Sequence, residues 1–376
     1  MKQQLLAAIS ALALSTFVFA DVNVGVILGA TGPGASLGVP TKNVFSILPD
    51  TLGGEKVNYI VLDDGTDPST AVKNAHKLTK EDNVDLILGP TSVPTALAVV
   101  SVATETKTPL IAFSPLPGSN AKSSWAFSVP ASLSIMMKPV VDHMVANGIK
   151  TVAYIGFSDG LGEIIYNGFV PQAEAAGMKL VASERYGRTD TSVMGQILKI
   201  IGTKPDAVVI GGSGTPGALP HITLMDKNYK GLIYHSNAVV NKDFIRVGGK
   251  QVEGAMAPCG PGVVASQLPE SNPMKKPALQ FINAYEAKYG AGSSNMFGGL
   301  AWDGYLLSDR AVAVAVKKAR PGTVEFRQAL RDALENTKEL AGYNAIYNLT
   351  PTDHTGVGSR SIVLTKVEKG DWMLIR

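Results

Sequence analysis

The sequence predicts an α/β protein built from two successive units, each a mostly parallel sheet with helices on both faces. Two observations carry that prediction. Short, nearly continuous apolar runs alternate with helical stretches from Val22 to Phe113, and the same alternation restarts at Thr151. Strands that are apolar on both sides belong in a sheet covered on both faces. The length of 376 residues suits two or three domains with a large core.

The elements follow in order. Val22 to Leu28 reads as a strand closed by Gly29, and Thr41 to Leu48 as a helix. Val57 to Leu62 is a second strand, ended by Asp63-Asp64-Gly65. Asp67 is a natural N-cap with Pro68 at the first helical position, and Ala71, Ala75 and Leu78 share one face of that helix. Val84 to Leu88 is a strand, Thr95 to Thr104 a helix, and Pro109 to Phe113 a strand. In the second unit, Thr151 to Phe157, Lys179 to Ser183, Ala207 to Ile210 and Gly231 to His235 are strands. Gly162 to Ala175, Ser192 to Ile201 and Pro216 to Asn228 are the helices between them. The tail holds three helices, Pro277 to Tyr289, Leu300 to Lys318 and Val324 to Asn336. It ends in a hairpin of Ser361 to Val367 and Trp372 to Ile375. Helices and a hairpin available to either unit imply chain crossings near Val129-Pro130, Pro258 to Pro261 and Tyr347 to Thr350.

The first twenty residues stand apart. Lys2, the apolar run Leu5 to Phe19, and Val18-Phe19-Ala20 ahead of Asp21 have the pattern of a secretory signal cleaved after Ala20. The run is shorter than the ~20 apolar residues a membrane span needs. The mature chain is thus expected in the periplasm, with a formal charge of +2 once Lys2 is removed.

Composition excludes several classes of function. Lys+Arg (34) barely exceeds Asp+Glu (31) and forms no runs, which argues against nucleic acid as a partner. Cys259 is the single cysteine, and the five histidines include no H-x-x-x-H pair, so no cysteine-based or zinc-protease metal site is expected. Gly29-Ala-Thr-Gly-Pro-Gly34 follows a strand, but its glycine order is not the dinucleotide fingerprint and Pro33 removes an N–H donor. Ser114 lacks the G-x-S-x-G setting of a hydrolase nucleophile. A strand-end turn and an N-cap explain Asp63, Asp64 and Asp67 more simply than a metal does. Neither a nucleophile–base pair nor a cofactor site is found, so no enzyme activity is expected.

Ligands of open α/β sheets sit at the carboxyl ends of strands. Here those ends are Gly29 to Gly38, Gly89 to Thr95, Ser114 to Asn120, Phe157 to Gly162, Gly211 to Pro216 and His235 to Val239. They are rich in Gly, Ser, Thr and Pro and poor in ionisable groups, which suits hydrogen bonding to a small solute rather than acid–base chemistry. His235, at the end of an apolar strand, reads equally as a ligand contact or a structural histidine. Ser213 belongs to the Gly211–Gly214 strand end.

Five segments together resemble one family: T-G-P-G-A-S-L-G (Thr31 to Gly38), D-D-G-T-D-P (Asp63 to Pro68), G-P-T-S (Gly89 to Ser92), F-S-P (Phe113 to Pro115) and A-W-D-G-Y (Ala301 to Tyr305). In this order they are similar to the branched-chain-amino-acid type of periplasmic solute-binding protein, the receptor of an ABC importer. The resemblance covers Asp21 to Arg376. It implies a type I periplasmic binding protein fold, two Rossmann-like lobes with a hinge of three chain crossings. The corresponding domains are 21–128 with 262–346, and 129–261 with 347–376. It also implies a ligand in the cleft, a membrane permease as partner, and a monomer.

The resemblance further implies where ligand groups sit. Amino-acid-binding members hold the α-carboxylate with the G-x-x-x-S loop and the residues after S-P, here Ser92-Val93 and Leu116 to Gly118. They hold the ammonium with an aromatic ring before G-E and an acidic residue at a strand end of the second lobe. Those positions are Leu161 and Asn237 here, and a first-loop Tyr is Leu37. A buried ammonium without a partner costs several kcal/mol. The expected ligand is therefore a small carboxylate with a neutral body, with Ser36, Ser92 and Ser114 as polar contacts. Leu37, Leu116, Leu161 and Phe297 are expected to form an apolar slot, with Asn237 or His235 for a ring hydroxyl. The first loop and T-D-H-x-G (Thr352 to Gly356) resemble the subgroup that binds aromatic acids of the benzoate or hydroxycinnamate kind. A branched-chain amino acid is the alternative.

Overall fold

A computed structural model describes residues 21–116 and 124–375. The signal segment, and the expected contact Gly118 with Pro117 before it, lie outside the described residues. The first lobe opens with β1 (Val22–Leu28), α1 (Ala35–Val44), β2 (Thr51–Leu52), β3 (Glu55–Asp63), α2 (Pro68–His76), β4 (Leu86–Leu88), α3 (Val93–Thr106), β5 (Leu110–Ala112) and β6 (Ala126–Ser128). Its sheet runs β2-β3-β1-β4-β5-β6, parallel except for the β2–β3 pair.

The second lobe follows with α4 (Leu133–Ala146), β7 (Thr151–Phe157), α5 (Gly160–Ala175), β8 (Lys179–Tyr186), α6 (Met194–Gly202), β9 (Ala207–Gly211), α7 (Ala218–Asp226), β10 (Leu232–His235), α8 (Lys242–Gly248) and β11 (Met256–Cys259). The chain then returns for α9 (Lys275–Tyr289), α10 (Met296–Ala315) and α11 (Val324–Glu335). These helices join the first lobe: Asn43 in α1 donates to the Tyr285 hydroxyl in α9, and the carboxylate of Asp85, just before β4, accepts from Gly322 N just before α11. After β12 (Leu340–Ala341) and β13 (Ile346–Tyr347), a hairpin of β14 (Val363–Glu368) and β15 (Asp371–Leu374) closes the chain. The hairpin completes the second sheet, β15-β14-β11-β10-β9-β7-β8, antiparallel only at β11–β14–β15. The chain thus passes between the two sheets three times, the type I periplasmic binding protein arrangement.

Several elements depart from the sequence reading for physical reasons. Helix α1 starts six residues earlier than expected, because Gly32–Gly34 forms a 3₁₀ turn that feeds it and Pro40 is tolerated inside. Ser36 and Leu37 are therefore first-turn residues rather than loop residues. The expectation of a strand ending at Ser183 falls short, since β8 runs to Tyr186. As an edge strand it is only partly buried, so its apolar signal fades before its end. Helix α4, with Met136 and Met137 in its buried face, and the short strands β6 and β11 were not marked by periodicity. Asp67 does cap α2, its Oδ1 accepting from Thr70 N at 2.7 Å. Asp63 ties down the loop after β1 by accepting from Ala30 N and Thr31 Oγ1.

In the second lobe, His221 Nδ1 and His235 Nε2 meet at 2.8 Å in the core. Burial lowers the pKa of His221 to about 4 and, helped by His221, that of His235 well below its usual value. Both stay neutral in the fold while an unfolded histidine titrates near 6.5. Their stability is thus present above about pH 6.5 and lost as pH falls toward 4, by about 3 kcal/mol for His221. Asp64, Asp85 and Asp303, raised by burial to about 6, act in the opposite direction and lose stability as pH rises from about 4 to 6. The readout is therefore a difference. Between pH 6.5 and 4.5, wild type is expected to lose more stability in urea titrations than the double variant His221→Leu, His235→Phe. Parallel pH profiles for the two proteins would refute the assignment.

Candidate functional site

The carboxyl ends of the strands in both sheets face each other across one cleft. From the first lobe come Leu37 beyond β1, Thr91, Ser92 and Val93 beyond β4, and Phe113, Ser114 and Pro115 beyond β5. From the second come Leu161 beyond β7, Arg188 beyond β8, Ser213 beyond β9, and Asn237 and Ala238 beyond β10. Pro130 of the first crossing and Phe297 and Leu300 of α10 close the inner end. In each sheet the cleft spans the point where strand order reverses, between β1 and β4 and between β7 and β9, where such sheets hold ligands.

The lobes touch at the rim of this narrow cavity. A Cβ on Gly214 (φ +56°) would lie 2.6 Å from Ser36 Oγ and 2.8 Å from Leu37 Cδ1. One on Gly160 would lie 3.2 Å from Leu97 Cδ1. Bare backbone at these two points lets the lobes meet.

The lining separates into a polar end and an apolar slot. Leu37, Val93, Phe113, Leu161, Phe297 and Leu300 give the slot, all buried. The polar end is organised by Arg188, whose side chain is 14% exposed. Its Nε donates to Asp159 Oδ2 at 2.5 Å and its Nη1 to Ser213 Oγ at 3.0 Å. Its guanidinium also lies over the Phe157 ring, 4.4 Å from the centroid. Among the described residues, Nη2 is buried and has no partner. The hydroxyls of Ser36 and Ser114 are likewise buried and unpartnered among them. Buried polar groups are rarely left unpaired, so these donors are available to a ligand. Ser92 caps α3, whose positive N-terminal end is directed at the cleft, and its Oγ lies 2.8 Å from Thr95 Oγ1.

Among the described residues, none that lines the cleft is acidic. The nearby carboxylate, Asp159, is spent: Oδ1 accepts from Leu161 N and Gly162 N at the start of α5, and Oδ2 from Arg188. Among the described residues, no group of three or more His, Cys, Asp and Glu could hold a metal ion.

Of the sequence-derived candidates, Leu37, Ser92, Val93, Ser114, Leu161, Ser213, Asn237 and Phe297 line this cavity. Ser36 sits at its rim against Gly214. Leu116 does not line it; it packs in the core beside Ala112 and Trp125. His235 is fully buried behind the cleft, facing His221 and Phe244, because its strand ends with the ring turned into the lobe. His354 is structural, stacked on Phe127 and bonded to Ala126 O and Glu335. Arg188 was the missed residue. Ending β8 at Ser183 kept its true carboxyl end, Tyr186-Gly-Arg188, out of the set of strand ends. An arginine two residues past a strand is the signal that would have found it.

Comparison with known proteins agrees with this geometry. The periplasmic binding protein family profile matches residues 21–371. A Leu/Ile/Val-binding protein of Rhizobium johnstonii is 24% identical, with 96% of each chain covered. The crystal structure of an extracellular ligand-binding receptor from Rhodopseudomonas palustris HaA2 is 40% identical and superposes with a TM-score of 0.93, covering 95% of this chain and 100% of that one. A solute-binding protein of an ABC transporter from R. palustris, solved with benzoate, shares the fold at 20% identity and a TM-score of 0.78, covering 95% of this chain and 96% of that one. With a family match over nearly the whole chain, two facing sheets and a cleft at their strand ends, the chain belongs to the periplasmic binding proteins, the solute-binding receptors of ABC importers, which bind without catalysing a reaction.

Proposed function

We propose that this receptor binds a small organic carboxylate with an apolar, ring-sized body, an aromatic acid of the benzoate or hydroxycinnamate kind. The observation that carries the reading is Arg188: among the described residues, a buried guanidinium with an unused Nη2, in a cleft that none of their carboxylates lines. A carboxylate accepting from Arg188 Nη2 and the serine hydroxyls completes those donors with charge-assisted hydrogen bonds. The ring then lies between Leu37, Leu161 and Phe297. An amino acid would satisfy the same donors but leave its ammonium without a countercharge, since Asp159 is committed to Arg188 and α5.

Closure follows from the two-lobe construction. The hinge lies in the segments near Val129-Pro130, Pro258 to Pro261 and Tyr347 to Thr350, and residues 21–128 with 262–346 swing against 129–261 with 347–376. The ligand bridges Arg188 and Ser213 on one lobe to Ser92 and Ser114 on the other. The closed form, which buries the ligand's apolar face as well, thus gains contacts that the open form lacks. The protein acts as a monomer, exported with its signal removed after Ala20, and the closed form is what the permease reads.

A thermal-shift and calorimetry panel tests this. Benzoates and hydroxycinnamates are expected to raise Tm and to bind with 1:1 stoichiometry, while leucine, isoleucine and valine leave Tm unchanged. Stabilisation by the amino acids alone would overturn the ligand assignment and favour a branched-chain amino acid, the ligand named for the Rhizobium relative.

A further inference from the structure

Phe297 lines the ligand cleft, and its neighbour Met296 lines a second space between the lobes, of about 230 Å³. The first lobe supplies Glu286 of α9 and Gly292 and Ser294 of the turn before α10. The second supplies Asn241 and Lys242 at the start of α8, and Trp372 of β15. Across this space the lobes are not packed together, so apolar contact does not hold this flank closed. Nothing in the binding reading above uses it.

Lys242 reaches across. A Cβ on Gly292 (φ +70°) would lie 2.5 Å from Lys242 Nζ, so the ammonium of one lobe rests on the bare backbone of the other. Both sides are held in place. Asn241 Oδ1 caps α8 by accepting from Phe244 N at 2.8 Å, and Trp372 Nε1 donates to Asn241 O at 3.4 Å. On the first lobe, Ser294 Oγ donates to Glu286 Oε1 at 2.6 Å, and Asn295 caps α10. Burial pushes the Glu286 pKa up, but bonds from Ser294 Oγ, Gly292 N and Ser294 N, with the charge of Lys242, hold it below the usual range, so it is ionised. The second lobe gives Lys242 less reason to be there. Its neighbour Asp243 is paired with Arg246, and Asp371, the other carboxylate lining the space, is exposed at the start of β15. A cation at the first position of α8 also opposes the helix dipole.

We propose that Lys242 is an interlobe latch: drawn to Glu286 and the turn around Gly292, its ammonium stabilises the closed arrangement without help from a ligand. It thereby sets the affinity for whatever the cleft binds, because apparent affinity scales with the fraction of receptor in the binding-competent state. A partly exposed charge pair shifts such odds about 1.5- to 5-fold, and a reversed charge adds a repulsion of similar size. The attraction acts across open space and is screened by salt, unlike apolar packing. The inference goes beyond the carboxylate reading of the cleft and does not depend on it.

Distances between two spin labels test this on the ligand-free protein. The labels are carried by Val314→Cys in α10 and Leu198→Cys in α6, exposed positions on opposite lobes, while Cys259 is buried. At about 20 mM salt the protein with native Lys242 and Glu286 is expected to show a component at the lobe separation of this structure. The odds of that component are expected to fall about threefold in Lys242→Ala and in Glu286→Gln, and about tenfold in Lys242→Glu, but to stay within about 1.5-fold in Lys242→Arg. At about 0.5 M salt the native pair is expected to behave like Lys242→Ala. Absence of the component with the native pair, native odds in Lys242→Glu or in Glu286→Gln, or a fall in Lys242→Arg as large as in Lys242→Ala overturns the latch. Each of these leaves the ligand assignment untouched, since no ligand is present.

Discussion

Replacing Arg188 by leucine is expected to weaken binding of benzoate or 4-hydroxycinnamate by about 100-fold or more, with the fold retained. Hydrogen bonds to charged groups are worth about 1.5–3 kcal/mol each, and a buried carboxylate left without its cation loses more than the bonds alone. The same change frees Asp159 Oδ2, while Oδ1 keeps capping α5 through Leu161 N and Gly162 N. The variant cleft thus acquires a carboxylate it did not previously present. Arg188→Lys keeps the charge but loses the fork that reaches Asp159, Ser213 and the ligand together, so an intermediate loss is expected. Calorimetry on the three proteins decides the matter. Affinity of Arg188→Leu within threefold of wild type would remove Arg188 from the site.

The second large effect concerns Asp303 in α10. Its carboxylate accepts from Tyr343 N at 2.6 Å, Asn344 N at 2.8 Å and the Tyr347 hydroxyl at 2.7 Å, all buried. It is the clamp between the first lobe and the last passage to the second. Asp303→Ala leaves three buried donors unpaired, at about 1–3 kcal/mol each and not fully additive, so the expected loss is about 3–5 kcal/mol. A fall in Tm on the order of 10 °C follows. Asp303→Asn keeps one acceptor oxygen and should fall between the two. Differential scanning calorimetry reads both, and an alanine variant within 2 °C of wild type, the shift of about 1 kcal/mol, would show that the clamp carries little stability.

The sequence reading succeeded where burial is uniform. Strands β7 and β10, apolar on both faces, were legible within a residue, as was α2 from its Asp67-Pro68 start. Eight of the twelve expected contacts line the cleft, most of them at positions that the family resemblance implied rather than ones that strand-end composition marked. Periodicity failed at β8, where an edge strand is half exposed, and that failure hid Arg188. His235 stayed open between ligand contact and structural histidine in the sequence: a residue at a strand end can point along the strand or back into its lobe, and only packing against His221 and Phe244 decides. The convergence of the three passages was illegible for a different reason. Asn344 and Asn237 are 107 positions apart, and no local pattern joins residues that meet only there.

The pairing of Arg188 with Asp159 bears on unloading as well as capture. A lone interior cation would grip an anion too firmly for a carrier that must surrender its cargo at the membrane. Here half of the guanidinium is already engaged, so the emptied pocket is left neutral rather than starved of an anion. In the proposed carboxylate receptor, arginine and aspartate ride on the same lobe, so an opening of the jaws would part both from the opposite wall together and leave the vacated site in no need of a counter-ion.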